Sequence, residues 1–257
     1  RSAPWLAPAR PSARLDLRKL PSDASLMTAL LRAHRAAPFD AVLAHNAEAA
    51  LLALALRQRL GIPVVYVAHT LWAEELETWL APGLSPAARA AGAALDRSLA
   101  RRADGVLVLC EAAQRAFAPE VEGLSACIAP GHSPEPVPPA SAVAAACARH
   151  GLVREGFALY AGNLDRYQGL GVLDAAAACG PALPIVVATH QVGRARFRNL
   201  RVIELHSIDE ARCLVHGAAV AVLPRRSRGG FPIKLLHSMA AGRAIAARSH
   251  VAGALAH

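Results

Sequence analysis

Short runs of consecutive apolar residues alternate along this chain with longer segments in which apolar residues recur at every third or fourth position. An uninterrupted apolar run of about four to eight residues is typical of a strand buried on both faces, and a recurrence of about 3.6 residues is typical of an amphipathic helix. The predicted strands comprise residues 40–44, 64–68, 105–109, 125–129, 157–161, 185–189, 201–205, 218–223 and 244–247. The helices predicted between them comprise residues 25–36, 48–60, 86–103, 111–118, 141–150, 170–179 and 209–217, with a last helix opened by Gly229 and Gly230. This alternation predicts right-handed parallel βαβ units and an α/β fold.

A proline-rich segment divides the pattern into two series. Residues 131–139 include Pro134, Pro136, Pro138 and Pro139, and this composition predicts a linker. We therefore expect two Rossmann-like domains, residues 1–138 and 139–257, with parallel sheets that face a central cleft. Ligands of such sheets bind beyond the carboxyl ends of the strands.

The charge balance favours an anionic partner. The 257 residues include 28 Lys and Arg against 19 Asp and Glu, a net charge of +9, which suits nucleotide phosphates or acidic lipids. The arginines are dispersed and do not interleave with aromatic residues, so we expect no nucleic-acid partner. No apolar stretch reaches the roughly 20 residues of a membrane span. We expect a cytoplasmic protein, and peripheral attachment to the inner face of an anionic membrane stays open.

The five cysteines are odd in number and lack C-x-x-C spacing. Free thiols in a reducing cytoplasm are the simplest interpretation, and we expect no zinc site.

The segment from Gly229 to Gly242 combines a glycine turn with a helix start. Glycines allow a ligand to approach the backbone closely, and a helix N-terminus carries partial positive charge that suits phosphate. Lys234 falls in the first helical turn, where a cation is unfavourable to the helix dipole, and this favours a role in binding phosphate. The same pattern also occurs in α/β proteins that bind no phosphate.

Five segments carry the pattern of a known family: Asp-Ala-Val-Leu-Ala-His-Asn at 40–46, Ile-Pro-Val-Val-Tyr-Val-Ala-His-Thr at 62–70, Ala-Asp-Gly-Val-Leu-Val-Leu at 103–109, Tyr-Ala-Gly-Asn through Tyr-Gln-Gly-Leu at 160–170, and residues 218–243. In order and spacing they resemble the retaining glycosyltransferases of the GT-B fold, in the group of family 4-like (group 1) enzymes. The first domain resembles the acceptor side of that fold, and the second resembles its nucleotide-sugar domain.

The resemblance implies a retaining, metal-independent hexosyltransferase of bacterial polysaccharide biosynthesis. It would move a sugar from a nucleotide-diphosphate donor to a glycan or lipid-linked acceptor, with no cofactor and no metal ligands. Backbone amides at the glycine turns would hold the diphosphate. The expected catalytic residues are His69 and His45. The expected donor-binding residues are Gly162, Asn163, Gln168, His190, Arg225, Gly229, Gly230, Phe231, Pro232, Lys234 and His237.

The chain departs from the family pattern at its charged positions. Asn163 and Gln168 stand where many members carry an arginine and a lysine, and Gly229 and His237 stand where many carry two glutamates. The first βαβ element and the final helices of the family are not recognisable, so both domains are predicted to be incomplete at their outer ends.

Several candidates have structural alternatives. His69 and His45 follow predicted strands. They either act near the transferred sugar or are strand-end histidines whose hydrogen bonds are satisfied by the backbone. His190 meets the nucleotide base or is satisfied locally. Glu111 takes part in the site or only complements a helix dipole. Trp72 and Trp79, with Leu71, Leu76 and Leu80, form core or interface, or a lip for a lipid-linked acceptor.

Other functions remain open at this stage. The lost charged positions are compatible with a catalytically weak or inactive binding or scaffold protein. A sugar-nucleotide epimerase of the same architecture would need a carboxylate-rich cleft, and a small-molecule receptor would need an export signal, neither of which is visible. Binding of uridine or guanosine diphosphate would support a donor-binding enzyme, and its absence would count against one.

Overall fold

The computed structural model describes residues 19–79, 84–133 and 135–253. The chain forms two compact units, Arg1–Ala129 and Pro130–His257. Each contains one parallel sheet, which confirms the predicted α/β fold class. The division falls before the proline-rich segment rather than after residue 138. It does so because this segment packs on the second unit, where Arg212 Nε lies 2.7 Å from Glu135 and Arg212 Nη2 donates to the Pro136 carbonyl at 2.8 Å.

The sheet of the first unit has the order β1-β2-β3-β4, and every neighbouring pair is parallel. Its core includes Tyr66 and Phe117, whose buried rings pack edge to face at 5.9 Å. The strands are β1 (Val42–His45), β2 (Val64–Ala68), β3 (Gly105–Val108) and β4 (Leu124–Cys127). The helices are α1 (Lys19–Ala36), α2 (Asn46–Leu60), α3 (Trp72–Trp79), α4 (Ser85–Arg102) and α5 (Glu111–Phe117).

The sheet of the second unit has the order β7-β6-β5-β8-β9, again parallel throughout. From β5 the chain adds β6 and β7 on one side of the sheet and then β8 and β9 on the other. This reversal of strand order makes the gap between β5 and β8 the topological switch point, where ligands of open α/β sheets bind. The strands are β5 (Ala158–Ala161), β6 (Ile185–Thr189), β7 (Arg201–Glu204), β8 (Val220–Leu223) and β9 (Ala244–Ala247). The helices are α6 (Ala140–Arg149), α7 (Gly171–Ala178), α8 (Ile208–Gly217), α9 (Ile233–Ala240) and α10 (Ser249–Ala252).

A buried carboxylate joins α6 to α8. Glu210 accepts hydrogen bonds from Arg149 at 2.5 Å, from the His206 backbone N–H at 2.8 Å, and contacts His150 Nε2 at 3.0 Å. Burial alone would raise the pKa of Glu210, but these partners lower it to about 2. The carboxylate is therefore ionised at neutral pH and fixes the packing of two helices on one face of the sheet.

The glycine-rich segment begins its helix later than its sequence predicts. The turn of α9 starts at Ile233, because Pro232 has φ −81° and ψ 83° and lies outside the helical region. Gly229 and Gly230 therefore belong to the buried loop between β8 and α9. Lys234 still falls in the first helical turn.

Candidate functional site

The second unit places Lys234 directly beside Gly162, the residue that follows β5. A Cβ atom on residue 162 would lie 2.7 Å from Lys234 Nζ, and Gly162 has φ +151°, which side chains rarely adopt. The Lys234 ammonium also lies 5.3 Å from the centre of the Tyr160 ring. Only glycine leaves room for the lysine at the carboxyl end of the central strand.

The environment of Lys234 disfavours its charge. Burial and the nearby Arg225 together lower the pKa of Lys234 to about 8, and Asp165 partly opposes this shift. Within residues 19–79, 84–133 and 135–253, no carboxylate or other side chain forms an ion pair with this ammonium. The α9 N-terminus has no side-chain cap and no acidic residue in its first turn. An anion placed here would interact both with the Lys234 ammonium and with the partial positive charge of the α9 N-terminus.

Lysine is rare in this chain. Lys19 and Lys234 are its two lysines, and the other basic residues are arginines. An ammonium is compact and changes its pKa readily when buried, whereas a guanidinium does neither. The use of lysine at residue 234 fits the small volume that Gly162 leaves.

Asn163 and Gln168 are brought together, but they bond to each other. Gln168 Nε2 donates to Asn163 Oδ1 at 2.8 Å, and Asn163 Nδ2 donates to Asp165 at 2.9 Å. The Asn163 carbonyl accepts from the Tyr160 hydroxyl at 2.7 Å. Because Gln168 is only 4% exposed, its amide shapes the loop after β5, and Asn163 is the half-buried member of the pair.

Arg225 organises the loop between β8 and α9. Its guanidinium lies over the Tyr167 ring at 5.6 Å and donates to Ser227 Oγ at 3.2 Å and to the Phe231 carbonyl at 3.5 Å. The loop is thereby tied to the loop after β5, and the Arg226 backbone N–H reinforces the contact by donating to the Tyr167 carbonyl at 2.8 Å. Gly229, Gly230, Phe231 and Pro232 are all buried in this arrangement.

A cavity of about 450 Å³ lies between α8 and α9 over the carboxyl halves of β5 and β8. Lys234, His237 and Ser238 line it from α9, and apolar residues of α8 and the two strands line most of the remainder. The exposed His237 ring packs edge to face against His132 at 5.2 Å. This volume and lining are typical of a small-molecule pocket. His190 is exposed and does not line the cavity.

In the first unit, the two predicted catalytic histidines form a pair. His45 ends β1 and His69 follows the neighbouring strand β2, so both side chains lie at the same edge of the sheet. His45 Nδ1 and His69 Nε2 are 2.8 Å apart, a hydrogen bond whose donor depends on the tautomers. Burial lowers the pKa of His69, and the neighbouring His45 lowers it further. A neutral His69 at neutral pH can accept as well as donate a proton.

Asp96 of α4 is a residue of this region that the sequence pattern did not single out. Its buried carboxylate accepts hydrogen bonds from Trp72 N at 3.2 Å and Ala73 N at 3.0 Å, the first amides of α3. The sequence signal is a lone carboxylate in the apolar stripe of α4 that includes Ala88, Gly92 and Leu99. Half-buried Trp72, Leu71 and Leu76 belong to the adjoining turn and helix. Leu80 and the Trp79 side chain lie outside the described residues.

The remaining sequence predictions concern Glu111, the cysteines, metal binding and membrane spanning. Glu111 begins α5 and pairs with Arg115 at 3.0 Å. None of the five cysteines, all of which lie in the described residues, forms a disulfide. In the part of the chain that the structure describes, no group of three or more His, Cys, Asp or Glu side chains is placed to hold a metal ion. None of the helices described there is long and apolar enough to cross a bilayer.

Residues 2–126 match the family described as Glycosyl transferase 4-like domain. This match covers nearly the whole of the first unit and confirms the resemblance seen in its strand-end motifs. No curated protein matches the chain in sequence.

Solved structures share the fold at low sequence identity. HepE of Anabaena in complex with UDP-glucose aligns with a TM-score of 0.67 and 16% identity, over 86% of this chain and 62% of that one. Sucrose-phosphate synthase of Thermosynechococcus elongatus aligns with a TM-score of 0.69 and 19% identity, over 91% of this chain and 62% of the synthase. The UDP-forming trehalose-phosphate synthase of Burkholderia xenovorans aligns with a TM-score of 0.62 and 14% identity, over 94% of this chain and 66% of that synthase. The chain thus spans about two thirds or less of the length of these proteins, and its fold is that of GT-B glycosyltransferases.

Proposed function

We propose that this chain, which carries a glycosyl transferase 4-like domain and the GT-B fold, transfers a sugar from a nucleotide-diphosphate donor to a glycan or lipid-linked acceptor. The transfer would proceed with retention at the anomeric carbon. The donor is a substrate, and the proposal includes no cofactor. We place the reaction in the cytoplasm, at or near the inner face of the membrane.

One observation carries the proposal: the Lys234 ammonium stands without an ion-pair partner among the described residues, at an uncapped helix N-terminus and beside a cavity. The ammonium and the first amides of α9 suit a diphosphate. The cavity of about 450 Å³ next to them is large enough for a nucleoside. HepE in complex with UDP and with UDP-glucose supports a donor of this class.

The positive charge of this site would serve catalysis as well as binding. Negative charge develops on the leaving diphosphate as the glycosidic bond breaks, and fixed donors aimed at that charge lower the barrier. Lys234 and the α9 amides would supply them, so the proposed reaction needs no metal ion. His69, oriented by His45, would contact the transferred sugar or the acceptor hydroxyl.

Exposed arginines surround this edge of the second unit and support anionic substrates. They lie in the loops that follow β5, β6 and β8, and one of them, Arg194, lies 3.8 Å from Asp165. A phosphate-bearing lipid-linked acceptor, or an anionic membrane near it, would match their charge. The exposed members are Arg166, Arg194, Arg196, Arg198, Arg226 and Arg228.

Calorimetric titration with UDP and GDP tests donor binding. At a ligand concentration of about 100 times Kd, binding should stabilise the chain by roughly 2.7 kcal/mol. Lys234→Ala should weaken binding about tenfold to hundredfold, since a hydrogen bond to a charged group contributes roughly 1.5–3 kcal/mol. Arg115→Ala, in an exposed pair of the first unit, is the control and should bind normally. A wild-type chain that binds neither nucleotide at millimolar concentration would contradict the proposal.

A second candidate is a nucleotide-sugar binding protein with little turnover. It is favoured by His237, which lines the cavity with an imidazole packed on His132 where the family resemblance implies a carboxylate. Release of nucleotide diphosphate from radiolabelled donor separates the two functions. Tight binding without release, in the presence of membrane lipid extracts as acceptor source, would support the binding protein.

A further inference from the structure

The turn that carries His69 is held at both of its ends. At its start, His69 bonds to His45 of the neighbouring strand at 2.8 Å. Three residues later α3 begins, and its first amides are bound by Asp96, a residue of a different helix. In between, Thr70 Oγ1 donates to Glu75 at 2.9 Å. The position of His69 therefore depends on where α3 starts.

The contact between α4 and the start of α3 is close. Asp96 is 6% exposed, and both of its carboxylate oxygens accept from α3. One helical turn earlier, a Cβ atom on Gly92 would lie 2.6 Å from the Ala73 amide nitrogen, so the glycine is required for this approach. The geometry thus has two independent parts, a hydrogen-bonded carboxylate and a residue without a side chain.

The charge of Asp96 is retained in unfavourable surroundings. Burial, with Glu75 and Glu74 of α3 in support, raises the pKa of Asp96 to about 6, although the two backbone hydrogen bonds oppose the shift. Among the described residues, Tyr66 of β2 also interacts electrostatically with Asp96. A helix cap that served stability alone could be an exposed serine or asparagine at the start of α3 itself.

We infer that Asp96 is a positioning residue for His69: its carboxylate fixes the first turn of α3 and, through residues 69–72, holds the imidazole against His45. The positional effect follows from the contacts within the first unit. Its consequence for catalysis rests on the proposed function.

The test compares Asp96→Asn, Asp96→Ala and Gly92→Ala in the full chain. The matched control is Glu77→Gln, which breaks an exposed ion pair of 3.5 Å between the same two helices. The primary readout is the titration of the His69 ring by NMR, assigned from its loss in His69→Gln. We expect the pKa of His69 to rise toward its ordinary value as the turn loosens and admits water. The shift should be smaller in Asp96→Asn, which keeps one acceptor, than in Asp96→Ala.

Gly92→Ala should reproduce the shift without changing any titratable group, and Glu77→Gln should leave the titration unchanged. In a turnover assay, Asp96→Asn should lower kcat about tenfold while KM for the donor stays constant, as expected for a misplaced catalytic group. An unaltered His69 titration in folded Asp96→Asn and Gly92→Ala would overturn the inference. An altered titration in a chain that neither binds nucleotide nor turns over would support the positioning role and contradict the proposed function instead.

Discussion

Gly162 and Lys234 occupy adjoining volumes so closely that a single added methyl group on residue 162 would meet the lysine ammonium, 2.7 Å from Nζ. Gly162 directly follows the central strand β5, and Lys234 lies in the first turn of α9, about seventy positions later. The glycine and the lysine therefore form one unit of the proposed phosphate site. The absence of a side chain at Gly162 leaves the space that the Lys234 ammonium occupies.

Gly162→Ala should displace Lys234 and weaken nucleotide binding. The added Cβ would force the ammonium away from the site and place a side chain at φ +151°. We expect a Kd for UDP or GDP that is at least about tenfold higher, comparable to the loss in Lys234→Ala. Titration calorimetry measures it.

Gly171→Ala is the matched control for that change. Gly171 begins α7, and no heavy atom would lie within 4 Å of a Cβ on this residue. This variant should bind nucleotide normally and gain about 0.5–1 kcal/mol of stability from the better helix propensity of alanine. Equal nucleotide affinity in the two variants would show that the contact between Gly162 and Lys234 does not matter for binding.

Nucleotide affinity should fall as the pH rises through about 8, because the pKa of Lys234 is lowered to that value by burial. Below that pH the ammonium is charged and attracts the diphosphate, and above it the neutral amine does not. Bound phosphate will favour the charged form and move the transition upward. The measurement is Kd from pH 6.5 to 9.5, and Lys234→Ala should show a weak affinity that no longer changes across this window. A wild-type Kd that stays constant to pH 9.5 would rule out a titrating Lys234 in the site.

The alternation of apolar runs predicted most of the fold. Strands at residues 64–68, 185–189 and 244–247 have the predicted bounds, and most other element ends shift by one to three residues. Strands buried on both faces, such as β2 and β6, carry a strong local signal because their residues form nearly continuous apolar runs. The short helix α10 was missed because its four residues are too few to show a period.

The sequence predicted those contacts between candidate residues that follow from topology or from helix position. His45 and His69 meet because they lie at the carboxyl ends of adjacent parallel strands, His45 as the last residue of β1 and His69 directly after β2. Lys234 was singled out by its conflict with the helix dipole. The pairing of Gln168 with Asn163 and the capping of α3 by Asp96 were not found. Such bonds depend on which loops and helices come into contact, and no spacing along the chain encodes that contact.

Asp96→Asn should not destabilise the chain at pH 8. The pKa of Asp96 is raised from its ordinary value to about 6, so the folded chain binds a proton between about pH 4 and 6 that the unfolded chain releases. The Asp96 contribution to stability is therefore greatest below about pH 4 and falls as the pH rises through 6. At about 1.4 kcal/mol per unit, the ionised carboxylate lowers the free energy of unfolding by roughly 2–3 kcal/mol. The isosteric amide avoids this penalty.

Urea unfolding of wild type and Asp96→Asn at pH 4, 6 and 8 measures the difference. The wild type should lose stability relative to the variant across this range. A variant that is less stable than wild type by more than about 1 kcal/mol at pH 8 would mean that the two hydrogen bonds outweigh the burial of the charge.

Glu210→Ala should destabilise the second unit strongly. The change leaves the His206 amide without its acceptor and Arg149 and His150 without their common partner. Breaking a buried ion pair by removing one member costs about 3–5 kcal/mol, and the exposure of Arg149 places the expected loss near the lower end. Asp209→Ala, at the preceding, exposed residue of α8, is the control and should change stability by less than about 0.5 kcal/mol.

The pKa of Glu210 is depressed to about 2, so its contribution to stability is complete above about pH 5 and disappears as the pH falls toward 2. Wild type and Glu210→Ala should therefore converge in stability on acidification, as followed by urea unfolding between pH 7 and 2.5, whereas a constant difference over that range would assign the loss to packing rather than to the carboxylate.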